Sequence, residues 1–284
     1  MFKYILFVTL IILSSSCSLF EEEVVQIKKV DENVHLLLGN PSDAQENALV
    51  INNYLAKREQ FILGYNGARG IPTWVSWHLD ASWLGSVSRS DDFLVDFSIP
   101  ASVGRSASSD YSGSGFDRGH NCPSADRTLT RIDNQATFYM SNIIPQASTH
   151  NQELWREMEE FCRNQVRRDN KELYIIMGNY GEGGETRNGT TRKRIGSNDR
   201  VAVPQYIWKV VVIIDGGSDD LFRINENSRV IAILTQNQNK NLKDWYEYRV
   251  SIDEIEKETG LDLLSELPEE VQDILEARVD DGPV

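Results

Sequence analysis

Three stretches constrain this chain most: residues 206–214 (YIWKVVVII), 172–177 (ELYIIM) and 229–234 (RVIAIL). Side chains of a strand point alternately to its two faces, so a strand with one wet face alternates apolar and polar residues. These runs are apolar at nearly every position, and they predict strands covered on both faces. Residues 73–80 (TWVSWHLD) alternate and are rich in aromatic residues, which predicts a fourth strand. The cover must come from helices. Ser251 and Glu254 form a capping box with Gly260 as the stop, and Pro268 can open a last helix reaching about Arg278. A hydrophobic share of 40% over 284 residues suits one large domain. The fold class expected is α+β: a central antiparallel sheet with packed helices. Residues 48–60 are expected as a short helix and 178–204 as a long loop rich in Gly, Asn, Lys and Arg.

The N-terminus reads as an export segment. Lys3 is followed by an apolar run over 4–13, shorter than the roughly 20 residues of a membrane span. Three serines then precede Cys17, which resembles a bacterial lipoprotein signal with Cys17 lipidated; ordinary cleavage near the serines is the alternative. The expected division is a signal peptide at 1–16, an acidic tether at 17–33 and one domain at 34–284. The expected location is exported, as a cell-envelope lipoprotein or extracellular, with the membrane reached through the lipid alone. In that oxidising setting Cys122 and Cys162 either pair or remain two buried thiols.

The net charge of −14 argues at first against a polyanion partner. The charge is uneven, however: about −5 over residues 1–100, about +2 over 101–214 and about −11 over 215–284. The middle third is also where the chemistry-bearing residues gather.

As a helix, residues 151–166 place Leu154, Met158, Phe161, Cys162 and Val166 on one apolar stripe. Asn151, Trp155, Glu159 and Arg163 step by four beside it, so Asn151, Glu159 and Arg163 can line a cleft at the edge of the core. The bland alternative is a polar helix edge with a Glu159–Arg163 pair. His120 is one of four histidines. It follows Asp117, Arg118 and Gly119, with Gly113 and Gly115 upstream permitting tight turns. A neutral imidazole whose other nitrogen is fixed by a backbone carbonyl is a good base near neutral pH.

The motifs DRGH at 117–120, SNIIPQ at 141–146 and NQELWREMEEFCR at 151–163, supported by HLLLG at 35–39, WVSWHL at 74–79 and SRSDDF at 88–93, resemble the DNA/RNA non-specific endonucleases. These are the DRGH-type ββα-metal nucleases, which include mitochondrial endonuclease G and bacterial sugar-non-specific nucleases. The resemblance implies the ββα-metal motif and a phosphodiester hydrolase of DNA and RNA that leaves 5′-phosphate ends. It implies His120 as general base and Asn151 as the direct ligand of Mg²⁺, with Mn²⁺ or another divalent ion as alternatives. Glu159 would hold the ion through water, and Arg89 would stabilise the transition state. Arg118 and Arg163 would position phosphate, Asp117 would orient the DRGH turn, and Asn142 would orient the site from beneath; Asp117, Asn142 and Arg163 are grouped on the substrate side. Some members carry an asparagine where this chain has Phe138.

Contacts through phosphate, metal and arginine carry no base information, so sequence specificity should be low. The basic residues Arg187, Arg192, Lys193, Arg194 and Arg200 either touch phosphate or form a solvated loop. The rival reading is a non-catalytic envelope lipoprotein that binds nucleic acid or a protein partner, supported by the net acidity. An inhibitor protein is a partner the sequence leaves unspecified.

Overall fold

The structure, a computed structural model, describes residues 33–240 and 242–284. The signal segment, Cys17 and the tether up to residue 32 lie outside the described residues. The strands are β1 (Tyr54–Lys57), β2 (Ile62–Asn66), β3 (Ile71–Leu79), β4 (Asp117–His120), β5 (Ile143–Gln146), β6 (Lys171–Tyr180), β7 (Gly184–Glu185), β8 (Thr191–Arg192), β9 (Arg194–Ile195), β10 (Val201–Ala202), β11 (Tyr206–Asp215), β12 (Arg229–Gln236) and β13 (Arg249–Val250). The helices are α1 (Arg131–Ala136), α2 (Arg156–Asp169), α3 (Asp220–Arg223), α4 (Ile252–Thr259) and α5 (Glu269–Ala277). A seven-stranded sheet runs β1-β2-β3-β6-β11-β12-β13, and every pairing in it is antiparallel. The expected α+β class with a central antiparallel sheet is what forms.

The apolar runs are explained by two cores, one on each face. Along β11, Ile207, Val211 and Ile213 enter one core, and Trp208, Val210, Val212 and Ile214 enter the other. The first core receives Leu154, Trp155, Met158, Cys162 and Val166 from the predicted helix. The second receives Ile252 and Ile255 from α4 and Leu275 from α5. Ser251 caps α4 by accepting from the Glu254 N–H, and Gly260 closes it at φ 71°, a left-handed conformation that glycine adopts without a Cβ penalty. Pro268 precedes α5 as expected.

Two expectations fail. Residues 48–60 hold β1, not a helix: Leu49 is 88% exposed and Ile51 42%, so no apolar stripe exists, and the segment pairs with β2 instead. Tertiary pairing overrides local propensity here. The loop expected over 178–204 begins later, because β6 continues to Tyr180, and it carries the short ladders β7–β8 and β9–β10. Cys122 and Cys162 are both free and buried, and burial pushes each thiol up to about 12.

Candidate active site

The site is built on β4, β5 and the helical segment after them. β4 and β5 pair antiparallel, with Asp117 opposite Gln146 and His120 opposite Ile143. Gly119 lies against Gln146; a Cβ there would come within 2.7 Å of the Gln146 Cβ. Gln146 is itself fixed by a 2.7 Å contact from its Nε2 to His150 Nδ1. Asn237 pins the end of β5 from below, accepting from the Ala147 N–H and donating to the Pro145 carbonyl.

The segment predicted as one helix from 151 begins as a π-helix, His150–Trp155, and continues as α2. The wider π turn breaks the step-of-four row. Trp155 turns fully into the core and stacks on His150 at 4.9 Å, while Asn151 stays at the surface of the cleft. The predicted cleft edge therefore consists of Asn151, Glu159 and Arg163, with Trp155 as its anchor.

Arg89, Arg118, His120, Asn151, Glu159 and Arg163 all line one cleft of about 460 Å³. A larger cavity, about 680 Å³, lies along β11 and brings no base and ligand pair together. Asp117 stands beneath the cleft wall as its organiser. Its carboxylate accepts from Asn151 Nδ2 at 3.1 Å, Gln152 Nε2 at 2.7 Å and Ser148 Oγ at 2.8 Å. The amide nitrogen of Asn151 is thereby committed, and its carbonyl oxygen is the end left for a ligand.

His120 Nε2 is buried without a hydrogen-bond partner. The backbone carbonyl expected to fix the other ring nitrogen is not among the hydrogen bonds of the described residues. The ring is held instead by edge-on packing on Phe138, with centroids 4.8 Å apart, and by Phe93 at 5.5 Å. Phe138 thus has a positive role: the Arg89 guanidinium also lies over its ring at 4.8 Å. Burial first, and then Arg89, hold the His120 imidazole down to about 3, so it is neutral at any working pH.

Arg89 donates to Ser124 and Asp91, and Arg118 donates to the Ser108 carbonyl while its Nε is buried without a partner. Glu159 has a side chain 17% exposed and reaches Arg163 only at 3.9 Å. Burial raises its pKa, opposed by Lys209 and Arg163. Lys209 is a buried cation on β11, lying over Trp155 at 4.8 Å.

Asn142 and Asp117, grouped on the substrate side and expected to orient the site, do not line the cleft. Asn142 is fully buried and cannot touch substrate. It accepts from the Cys122 N–H and donates to the Cys122 and Thr137 carbonyls, which clamps the loop after His120. Asp117 is likewise a positioning residue, although Arg187 approaches it at 3.9 Å. Arg163 lines the cleft but is bound to Asp126 at 2.9 Å and Glu160 at 3.1 Å. Burial works against its charge, but Asp126 and Glu159 outweigh that and hold its guanidinium protonated. Of the basic loop, Arg187 comes to the site, whereas Arg194 is tied to Glu182 and backbone carbonyls. Sequence reasoning missed Asp126, Arg156 and Gln152. Gln152 and Arg156 stand inside the 151–163 motif, and Asp126 follows the DRGH motif at 117–120.

The comparisons agree with this geometry. The family model for DNA/RNA non-specific endonuclease matches residues 39–270. A nuclease of Nostoc sp. is 41% identical over 273 residues, covering 95% of this chain and 96% of the relative. A nuclease of Serratia marcescens is 28% identical over 248 residues, covering 85% and 84%. The solved structure of the EndoG/EndoGI complex superposes with a TM-score of 0.67 at 25% identity, covering 84% of this chain and 92% of that one. With His120, Asn151, Glu159 and Arg89 gathered in one cleft on a ββα unit, and with a relative matched almost end to end, the chain belongs to the DNA/RNA non-specific endonuclease family.

Proposed function

We propose that this endonuclease is Mg²⁺-dependent, cuts both DNA and RNA, leaves 5′-phosphate ends, and acts outside the cytoplasm, tethered by lipid at Cys17. The observation that carries the chemistry is the pairing of two groups in one cleft: a buried His120 Nε2 without a partner, and an Asn151 carbonyl freed by the Asp117 bond. The donor set fits the ion. Asn151 and Glu159 offer oxygen only, which suits a hard cation that keeps most of its waters. When bound, Mg²⁺ supplies positive charge beside the reacting phosphate. His120 takes the proton of the attacking water at Nε2. Arg89 and Arg118 hold phosphate oxygens, and their charge is most useful where negative charge grows in the transition state. An arriving phosphate also offsets the Arg89 repulsion of His120, raising the imidazole's proton affinity towards the range where a base is efficient. Arg163, held by Asp126 and Glu160, forms a fixed part of the cleft wall. EndoG is inhibited by EndoGI in the complex that this fold matches, and a protein inhibitor acting at the same cleft is the partner we propose here.

The test is supercoiled-plasmid and RNA cleavage by wild type, His120→Ala and Asn151→Ala, with and without EDTA. The expected results are loss of cutting in EDTA, at least a 10²-fold loss for His120→Ala, and ends that can be labelled by a 5′-kinase only after dephosphorylation. Cutting that survives EDTA would remove the metal, and a wild-type protein that binds plasmid without nicking it would favour the non-catalytic reading.

A further inference from the structure

Far from the cleft, on the sheet's other face, Asp253 and Glu256 lie three residues apart on α4, and Glu276 ends α5 against them. One oxygen from each carboxylate lies within 4.8 Å of the other two. Glu276 is only 9% exposed, and its Oε1 is buried with no hydrogen-bond partner. Among the described residues none of the three enters a salt bridge. Burial, followed by Glu256, Asp253, Asp262 and Asp273, pushes the Glu276 carboxyl up to about 7. Glu256 Oε1 accepts from the Leu263 N–H at 2.7 Å, which fixes that carboxylate and leaves its second oxygen free. A second cluster, His78, Glu172 and Asp220, differs in the point that matters: Arg223 already pairs with both of its carboxylates, and Tyr174 donates to Asp220. That cluster is balanced without an ion; the first is not.

We propose that Asp253, Glu256 and Glu276 form a Ca²⁺ site that clamps α5 to α4. Three converging carboxylates with a buried, unpartnered oxygen are an arrangement that a cation completes. The donors are all oxygen, which disfavours zinc and copper, and Ca²⁺ accepts irregular sets of 6–8 oxygens where Mg²⁺ demands a near-ideal octahedron. The two helices bring Ile252, Ile255 and Leu275 into the second core, so joining them stabilises the cover of that face.

The experiment is calorimetric titration of the mature chain with CaCl₂, paired with thermal melts. Asn151→Ala removes the cleft ligand, so any remaining Ca²⁺ response comes from elsewhere. It should still bind one Ca²⁺, with Kd on the order of 10⁻⁴–10⁻³ M. Its Tm should rise by about 5 °C at a hundredfold excess over Kd. Adding Glu256→Gln and Glu276→Gln should abolish both responses. Those two substitutions in the otherwise wild-type chain should leave plasmid nicking in Mg²⁺ unchanged, which also shows that it folds. No binding and no Tm change for Asn151→Ala up to about 100 mM CaCl₂, a hundredfold excess over the weakest Kd expected, would overturn the proposal, as would an equal response when the two glutamines are present.

Discussion

Replacing Asp117 with alanine tests whether the cleft is organised as described. The carboxylate holds Asn151 Nδ2 at 3.1 Å and Gln152 Nε2 at 2.7 Å. A hydrogen bond to a charged group is worth about 1.5–3 kcal/mol. Without it the Asn151 amide is free to turn either end to the cleft, and the bias towards its oxygen is lost. At about 1.4 kcal/mol per factor of ten, metal affinity should fall roughly 10–100-fold. Asp117 does not touch the reacting atoms, so turnover at saturating Mg²⁺ should return most of the way to wild type. The assay is the initial rate of plasmid nicking across a Mg²⁺ series, with folding checked by circular dichroism. Asp117→Asn, which keeps one acceptor, should fall between the two. An unchanged Mg²⁺ midpoint in Asp117→Ala would refute the reasoning, because Asn151 would then be oriented by something other than this bond.

Gly119→Ala should damage the site through packing: the new Cβ meets the buried Gln146, whose side chain is already fixed to His150. A loss of about 1–3 kcal/mol in urea unfolding is expected, together with reduced cutting, and a variant as stable and active as wild type would show that Gln146 yields freely. Stability should also fall on acidification. Burial first, with Arg127, Arg89 and Lys209 respectively, holds His35, His120 and His150 down to about 3 from an ordinary 6.5. The unfolded chain therefore binds protons that the folded chain refuses, and this stability is complete above about pH 6.5 and is lost as pH falls towards 3. Glu276, raised to about 7, works in the opposite sense, as do Glu159 and Glu256, which burial also raises, but burial holds His78 down as well, so four histidines stand against three carboxyls. Urea midpoints that do not drop between pH 7 and pH 5 would contradict the burial of these histidines.

The elements legible in the sequence were those whose cause is local. The run over 206–214 announced a strand buried on both faces, and β11 is one. Ser251 and Gly260 announced the ends of α4. What stayed hidden depends on partners distant along the chain. Asp117 orients Asn151 across 34 positions, and Asp126 binds Arg163 across 37. The π turn at His150–Trp155 has no sequence signal of its own, since a π turn and an α turn use the same apolar residues; its effect is seen only when Trp155 is found in the core. Phe138 read as a departure from a pattern, and its edge contact with His120 became visible only in three dimensions.

The sheet's two faces also account for a chain this acidic acting on a polyanion. The cleft and its arginines sit with the first core, whereas α4 and α5, from the stretch carrying about −11, cover the second. The molecule is therefore electrically lopsided. Its field turns a nearby phosphate backbone away from the helical side and draws it towards the arginines, so a large part of the orientational search is completed before contact. Acidity on the far side then favours productive encounters instead of opposing them.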